Sequence, residues 1–239
     1  MYKIGVLIPT TSSDRDWKSF HESTLFTILF NTFVNTYCNQ YEYIFYLIVD
    51  DDDKIFGVKT VQQDIQNVMH RFKNIHIKFI SSENIPKGWV TKMWNRAFQI
   101  AYNEKCDYFF QCGDDIYLKS KKWVSHSICA LKENNNIGLT GPIDIRRIEL
   151  GGESAAPGGY RFIQTQAFVS RKHMDLFGYF FPEEIKNWFC DNWITQLYYP
   201  KYFYQIEQTL ANVGGEPRYE VEENPPWQEL IERDKKKLP

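Results

Sequence analysis

The chain has 239 residues with a net charge of −2, 43% hydrophobic and 17% aromatic residues, which is the size of one large α/β domain with ample apolar material for a core. An isoelectric point near 6.2 goes with no concentrated basic face of the sort nucleic acid or an anionic membrane selects; only Lys235, Lys236 and Lys237 cluster, as a solvated terminus. No apolar run reaches the roughly 18 residues of a membrane span, no leader precedes the first strand, and five scattered cysteines without a C-x-x-C pair indicate neither a zinc site nor a disulfide framework, so the expectation is a soluble, cytoplasmic protein without integral membrane association.

In chain order, hydrophobic patterning predicts a strand at 3–9, a helix at 17–36, a strand at 42–49 and a helix at 58–72. A third strand at 75–80, a helix at 90–103 and a fourth strand at 107–111 follow, and this alternation predicts a mainly parallel sheet flanked by helices. Beyond it come a helix at 122–134, a short strand at 137–140, a Gly-rich loop at 151–159, a strand at 162–169, a short helix at 172–177 and a helix at 190–199. The Pro- and Glu-rich remainder reads as an extended tail, giving one domain over 1–213 and a tail over 214–239.

The most informative segment is Tyr108, Phe109 and Phe110 running through Gln111, Cys112 and Gly113 into Asp114 and Asp115. A buried strand ending in two carboxylates presents hard oxygen ligands where open α/β sheets bind their ligands, which suits Mg²⁺ or Mn²⁺ with phosphates completing the shell. Gly and Asp are also ordinary turn residues, so the pair gains weight only with the rest of the chain. The second strand ends in four consecutive aspartates, Asp50 to Asp53, at the same edge. Like charges so close repel unless solvated or matched by a ligand; either an exposed turn or a site for a nucleotide base or ribose fits them. Pro9, Thr10, Thr11, Ser12 and Ser13 close the first strand and would line that edge, while Ser12, Ser13 or Asp14 would equally cap the next helix.

Together these residues resemble a GT-A glycosyltransferase over roughly residues 3–200: a first strand ending Ile8, Pro9, Thr10, a second ending Val49, Asp50, Asp51, Asp52, and a fourth entering Gly113, Asp114, Asp115, Ile116. The resemblance implies a Rossmann-like, mainly parallel sheet with a smaller mixed region on the acceptor side. It implies a nucleotide-diphosphate sugar donor, with UDP the commonest, and an acceptor hydroxyl on a glycan, a lipid-linked or a protein substrate. The DxD-like motif is Gly113, Asp114, Asp115, similar to variants in which only the last two positions are acidic. By the same resemblance Asp115 is the metal ligand, Asp114 reaches the ribose, sugar or metal, and Asp50, Asp51 or Asp52 contacts the base. A divalent cation would stabilise charge on the leaving diphosphate.

The helix bearing Lys92, Asn95 and Arg96 lies where such enzymes place donor contacts, although Trp94, Ala97 and Phe98 read as its buried stripe. An inverting enzyme needs a general base on a later segment; Asp191, opening a helix among aromatics, is the first candidate, with capping as its alternative role. Glu153 in the Gly-rich loop competes as base, and His173 offers a possible third metal ligand or a surface cap. Trp188 and Trp193 would stack on sugar faces or join the core. Two further readings stand beside this one: a sugar nucleotidyltransferase, which usually opens with a Gly-rich basic loop not found at 9–14, and a non-catalytic sugar- or partner-binding module on the same scaffold.

Overall fold

The computed structural model describes residues 1–146, 163–214, 218–223 and 225–239. Its centre is a five-stranded sheet in the order β3-β2-β1-β4-β7. The strands are β1 (Lys3–Thr10), β2 (Glu42–Val49), β3 (Ile75–Ser81), β4 (Tyr108–Gln111) and β7 (Phe168–Ser170). The first four run parallel, and β7 closes the edge antiparallel to β4. The mainly parallel sheet read from the sequence is therefore present, and β2 matches its expected span of 42–49.

Strand residues alternate between two cores because side chains on a strand point to opposite faces. Ile4, Val6, Ile8, Phe45 and Phe110 pack with Phe33 and Trp123 on one face; Leu7, Ile44, Tyr46, Ile48 and Phe109 pack on the other. That second face is covered by α3 (Val90–Asn103), which contributes Met93, Ala97, Phe98 and Ala101 as an i, i+4, i+5, i+8 stripe. Burial on both faces is why β1 and β2 read as continuous apolar runs. The first face is covered by α1 (Asn31–Thr36), which continues a π-helical segment Leu25–Phe30, and by α2 (Lys59–Met69) and α4 (Trp123–Lys132).

The single helix expected over 17–36 is thus broken into a 3₁₀ turn at Phe20–Glu22, the π segment and α1. Hydroxyls intervene in its hydrogen-bond ladder: Thr27 donates to the Ser23 carbonyl, Thr32 to Ile28 and Thr36 to Thr32, each at 2.8 Å. Such back-bonding competes with regular helix geometry.

A second, three-stranded sheet in the order β5-β8-β6 joins β5 (Ile116–Leu118), β8 (Thr209–Asn212) and β6 (Ile143–Asp144). The strand expected at 137–140 is instead two isolated bridges, Leu139 with Phe203 and Thr140 with Phe168. Gly138 (φ +143°) and Gly141 (φ +146°) bracket it, and backbone in that region does not continue a ladder. Of the described part of the strand expected at 162–169 only β7 is formed, and before it Gln164 Nε2 donates to the carbonyls of Pro142 and Gln166.

Helices α5 (Lys172–Phe177) and α6 (Cys190–Tyr198) follow. The remainder from 214, expected as an extended tail, contains α7 (Trp227–Lys235), which packs on α6. Trp227, Leu230 and Ile231 form its short buried stripe, and Trp227 stacks on Phe189 at 6.3 Å between ring centroids. Its buried Asp234 receives Arg233, Lys237 and the Tyr179 hydroxyl. Among the described residues, no helix is long and apolar enough to cross a membrane.

Candidate donor and acceptor site

In the order β3-β2-β1-β4 the chain steps outwards in one direction from β1 and then returns to its other side, so the carboxyl ends of β1 and β4 flank a topological switch point. Ligand crevices in open α/β sheets form there. Thr10 ends β1 and Asp114 follows β4; the Thr10 hydroxyl donates to Asp114 Oδ2 at 2.6 Å across the gap. Asp114 is 2% exposed, and its carboxylate is gripped by the Arg218 guanidinium, Nη1 to Oδ2 at 2.7 Å and Nη2 to Oδ1 at 2.5 Å. Burial opposes the Arg218 charge, but Asp114 outweighs it and the guanidinium pKa is raised.

Asp115 sits differently. Burial first, and then the neighbouring Asp114 charge, push its carboxyl up to about 6 against the opposing pull of Arg218. Two glycines make room for it: a Cβ on Gly113 would stand 2.6 Å from Asp115 Oδ1, and one on Gly214 would overlap Oδ2. Gly214 arrives there because β5 and β8 pair in the register Ile116↔Asn212, and the Val213 amide then donates to the Asp115 carbonyl.

The four aspartates after β2 divide their tasks. Asp53 is a turn residue, accepting from the amides of Ile55, Phe56 and Ser12 and from the hydroxyls of Ser12 and Thr11. Asp50 is buried and accepts the Tyr219 hydroxyl at 2.7 Å. Asp51 accepts Ser81 Oγ at 2.5 Å, and the exposed Asp52 pairs with Lys87 at 3.2 Å. A cavity of about 110 Å³ opens here, lined by Asp50, Asp51, Gly57, Gln62, Phe79 and Ser81 among others.

On the other side of the switch point lies a cavity of about 700 Å³, walled by Trp94, Phe181, Trp188, Asp191, Arg218 and Trp227 among others. Asp191 is the second residue of α6, where the helix dipole favours a carboxylate. Phe189, in the left-handed region at φ 69°, is the N-cap by position, while Asp191 Oδ1 accepts the first-turn amide of Asn192 at 2.9 Å, so Asp191 also satisfies one orphan N–H of the helix. Trp188 is 54% exposed and faces the cavity, whereas Trp193 is fully buried.

Three expected donor contacts are directed elsewhere. Asn95 spends its side chain on the turn before α6: its oxygen accepts the amides of Phe180 and Phe181 at 2.9 Å each, and its NH₂ donates to the Phe181 carbonyl. Lys92 lies over the Trp89 ring and pairs with Glu183, and Arg96 donates to the Ser81 carbonyl at the end of β3. His173, expected as a metal ligand or surface cap, is neither. It is 1% exposed among Phe98, Phe177 and Phe180, with Nδ1 on the Tyr198 hydroxyl and Nε2 on the Phe180 carbonyl, leaving no nitrogen for a metal. Burial lowers its pKa to about 4, so the ring is neutral, Nε2 donating and Nδ1 accepting. Glu153 and the Gly-rich loop at 151–159 lie outside the described residues.

Sequence reasoning missed Arg218 and Tyr219, which meet the carboxylates from 104 and 169 residues away. Only the break at Gly214 and Gly215 marks their approach.

The fold has counterparts among solved structures. S. aureus TarS residues 1–349 in complex with UDP-GlcNAc superposes at a TM-score of 0.55 with 15% identity, over 91% of this chain and 60% of that one. The mannosyltransferase PcManGT from Pyrobaculum calidifontis, in complex with GDP-Man and Mn²⁺, superposes at 0.55 with 11% identity over 86% of this chain and 54% of that one. The fold is GT-A-like. TarS 1–349 in complex with UDP agrees, at 0.54 and 15% identity over 86% of this chain and 58% of its own, so this GT-A-like chain spans less than two thirds of each of these structures. No known family profile and no curated protein sequence matches it.

A GT-A-like fold brings with it the question of a divalent cation. Among the described residues no three His, Cys, Asp or Glu side chains converge as a ready cage. Asp114 is already paired with Arg218, whereas Asp115, with Gly113 and Gly214 making room for its two oxygens, is a carboxylate that could serve as one ligand. Ions of the Mg²⁺ type are commonly held by one or two carboxylates plus substrate phosphates, so Asp115 fits that donor set.

Proposed function

We propose that the protein is a glycosyltransferase that moves a sugar from a nucleotide-diphosphate sugar to an acceptor hydroxyl. One observation carries the reading: along the carboxyl edge, an acidic cavity at Asp50 and Asp51, the Asp114–Asp115 switch point, and the Asp191-bearing aromatic cavity succeed one another. That is the order base, diphosphate, sugar and acceptor. The neighbours with UDP-GlcNAc and GDP-Man support the donor class.

In this reading the base enters the small cavity and exchanges hydrogen bonds with Asp50 or Asp51, and the diphosphate lies over the switch point. The acceptor hydroxyl stands by Asp191, with Trp188 beneath a sugar face. Asp191 takes the hydroxyl proton as the acceptor oxygen bonds to the anomeric carbon; the bond from that carbon to the diphosphate oxygen breaks, and its electron pair leaves on the phosphate. Attack from the face opposite the leaving group inverts the centre. Asp115 would hold Mn²⁺ or Mg²⁺, which when bound neutralises charge on the phosphate oxygens. The acceptor is a glycan, a lipid-linked or a protein hydroxyl, and UDP is the first donor nucleotide to try.

Calorimetric titration with UDP, GDP, CDP and dTDP, with and without Mn²⁺, tests this. Binding of one nucleotide, strengthened by Mn²⁺ and weakened in Asp115→Ala, supports the reading. Absence of binding to any of the four by the folded protein removes it.

A further inference from the structure

Arg218 belongs to a strap, residues 218–223, that crosses the crevice and is fastened on its far side by Asn187 and Lys186. Asn187 Nδ2 donates to the Glu220 carbonyl at 2.8 Å and its Oδ1 accepts the Glu222 amide, while the Lys186 amide donates to Glu222 Oε2 at 2.9 Å. The strap sets Arg218 on Asp114 and Tyr219 on Asp50, so its two leading side chains lie beside the diphosphate and base positions of the proposed donor site.

The guanidinium side chain is 12% exposed, and that remaining edge faces the 700 Å³ cavity. Of its five N–H groups, three are used, two on Asp114 and one on Thr24 Oγ1 at 3.2 Å. Nε–H and the second Nη1–H have no partner among the described residues. A planar fork held rigid by a carboxylate, with donors left over beside a switch point, is built to receive phosphate oxygens.

We propose that Arg218 binds the diphosphate of the nucleotide directly, and that Asp114 serves mainly to position Arg218. This rests on the glycosyltransferase reading and changes one assignment within it. Asp114 answers to a cation of the chain itself, and the charge of the leaving diphosphate is shared between Arg218 and any ion on Asp115. Binding of the diphosphate therefore retains a component that removing the metal does not abolish.

The test compares UDP with uridine and GDP with guanosine on the wild type, on Arg218→Lys and on the neutral pair Asp114→Asn/Arg218→Gln, each in Mn²⁺ and in EDTA. The paired variant removes both charges at once and so avoids leaving Asp114 buried and alone. The expected result is that nucleoside affinity stays level, while the advantage of the diphosphate over the nucleoside falls about 10- to 100-fold in both variants and does so in EDTA as well. An unchanged diphosphate advantage in variants with native circular dichroism overturns the role of Arg218 and leaves the glycosyltransferase reading standing. Failure of the wild type to bind either nucleoside diphosphate overturns both.

Discussion

Replacing Arg218 by Met keeps most of the side-chain volume and removes the charge. Asp114, 2% exposed in the wild type, then keeps the Thr10 hydroxyl but loses the guanidinium that balances its charge. Breaking a buried ion pair on one side costs about 3–5 kcal/mol, because the surviving charge has lost its compensation. The 12% exposure of the Arg218 side chain argues for the lower end, about 3 kcal/mol. Removing both charges, in Asp114→Asn/Arg218→Met, should cost much less than the sum of the two single changes, because no charge is stranded. Urea unfolding followed by circular dichroism gives the four stabilities of the cycle, and the midpoint shifts at constant slope report them. A loss below about 1 kcal/mol for Arg218→Met is the signature of a solvated surface pair and would refute the burial argument.

His173 gives a pH-dependent term. Its folded pKa of about 4 lies below its ordinary 6.5, so the unfolded chain binds the extra proton between those values. The stability it contributes is complete above pH 6.5 and is lost as pH falls towards 4; between pH 7 and pH 5 the loss is about 2 kcal/mol. Unfolding of His173→Gln should lack that component, and an identical pH slope in both proteins would contradict it. Gly214→Ala should displace Asp115, since the added Cβ would overlap its Oδ2 and crowd its Cγ at 2.6 Å, and remove the metal-dependent part of nucleotide binding, in a variant whose native fold is checked by circular dichroism. Retained Mn²⁺ dependence would show that the Asp115 position does not matter. Asp191→Asn should bind donor nucleotide as the wild type does and lose about 10²- to 10⁴-fold in transfer rate, measured by nucleotide release; an unchanged rate would assign the base elsewhere.

The parts of this molecule legible in its sequence are those where local pattern and tertiary role coincide. β1 and β2 are sandwiched between two cores, so their interiors, Ile4 to Pro9 and Tyr43 to Val49, are apolar or aromatic whichever face each residue serves, and carboxylates that follow such runs mark the sheet edge. Thr10, Asp50, Asp114 and Asp115 were placed at that edge for this reason. What could not be read depends on distant partners. The short strand β8 exists through its pairing with β5 and β6, and α7 has only Trp227, Leu230 and Ile231 as an apolar stripe behind two prolines. Asn95 carries a donor-like chemistry that the turn at Phe180 and Phe181 consumes, and His173 a ligand-like chemistry that Tyr198 consumes. Arg218 reverses this: nothing local distinguishes it, and its meaning comes entirely from Asp114, 104 residues earlier.

The central claim is that the switch point at Asp114 and Asp115 binds the diphosphate of a nucleotide sugar. Titration of the wild type and of Asp115→Ala with UDP and GDP, in Mn²⁺ and in EDTA, tests it most directly. The account predicts saturable binding of one nucleotide to the wild type, strengthened by Mn²⁺, with that metal increment absent in Asp115→Ala. Equal binding by both proteins under both conditions, or none by either, would contradict it.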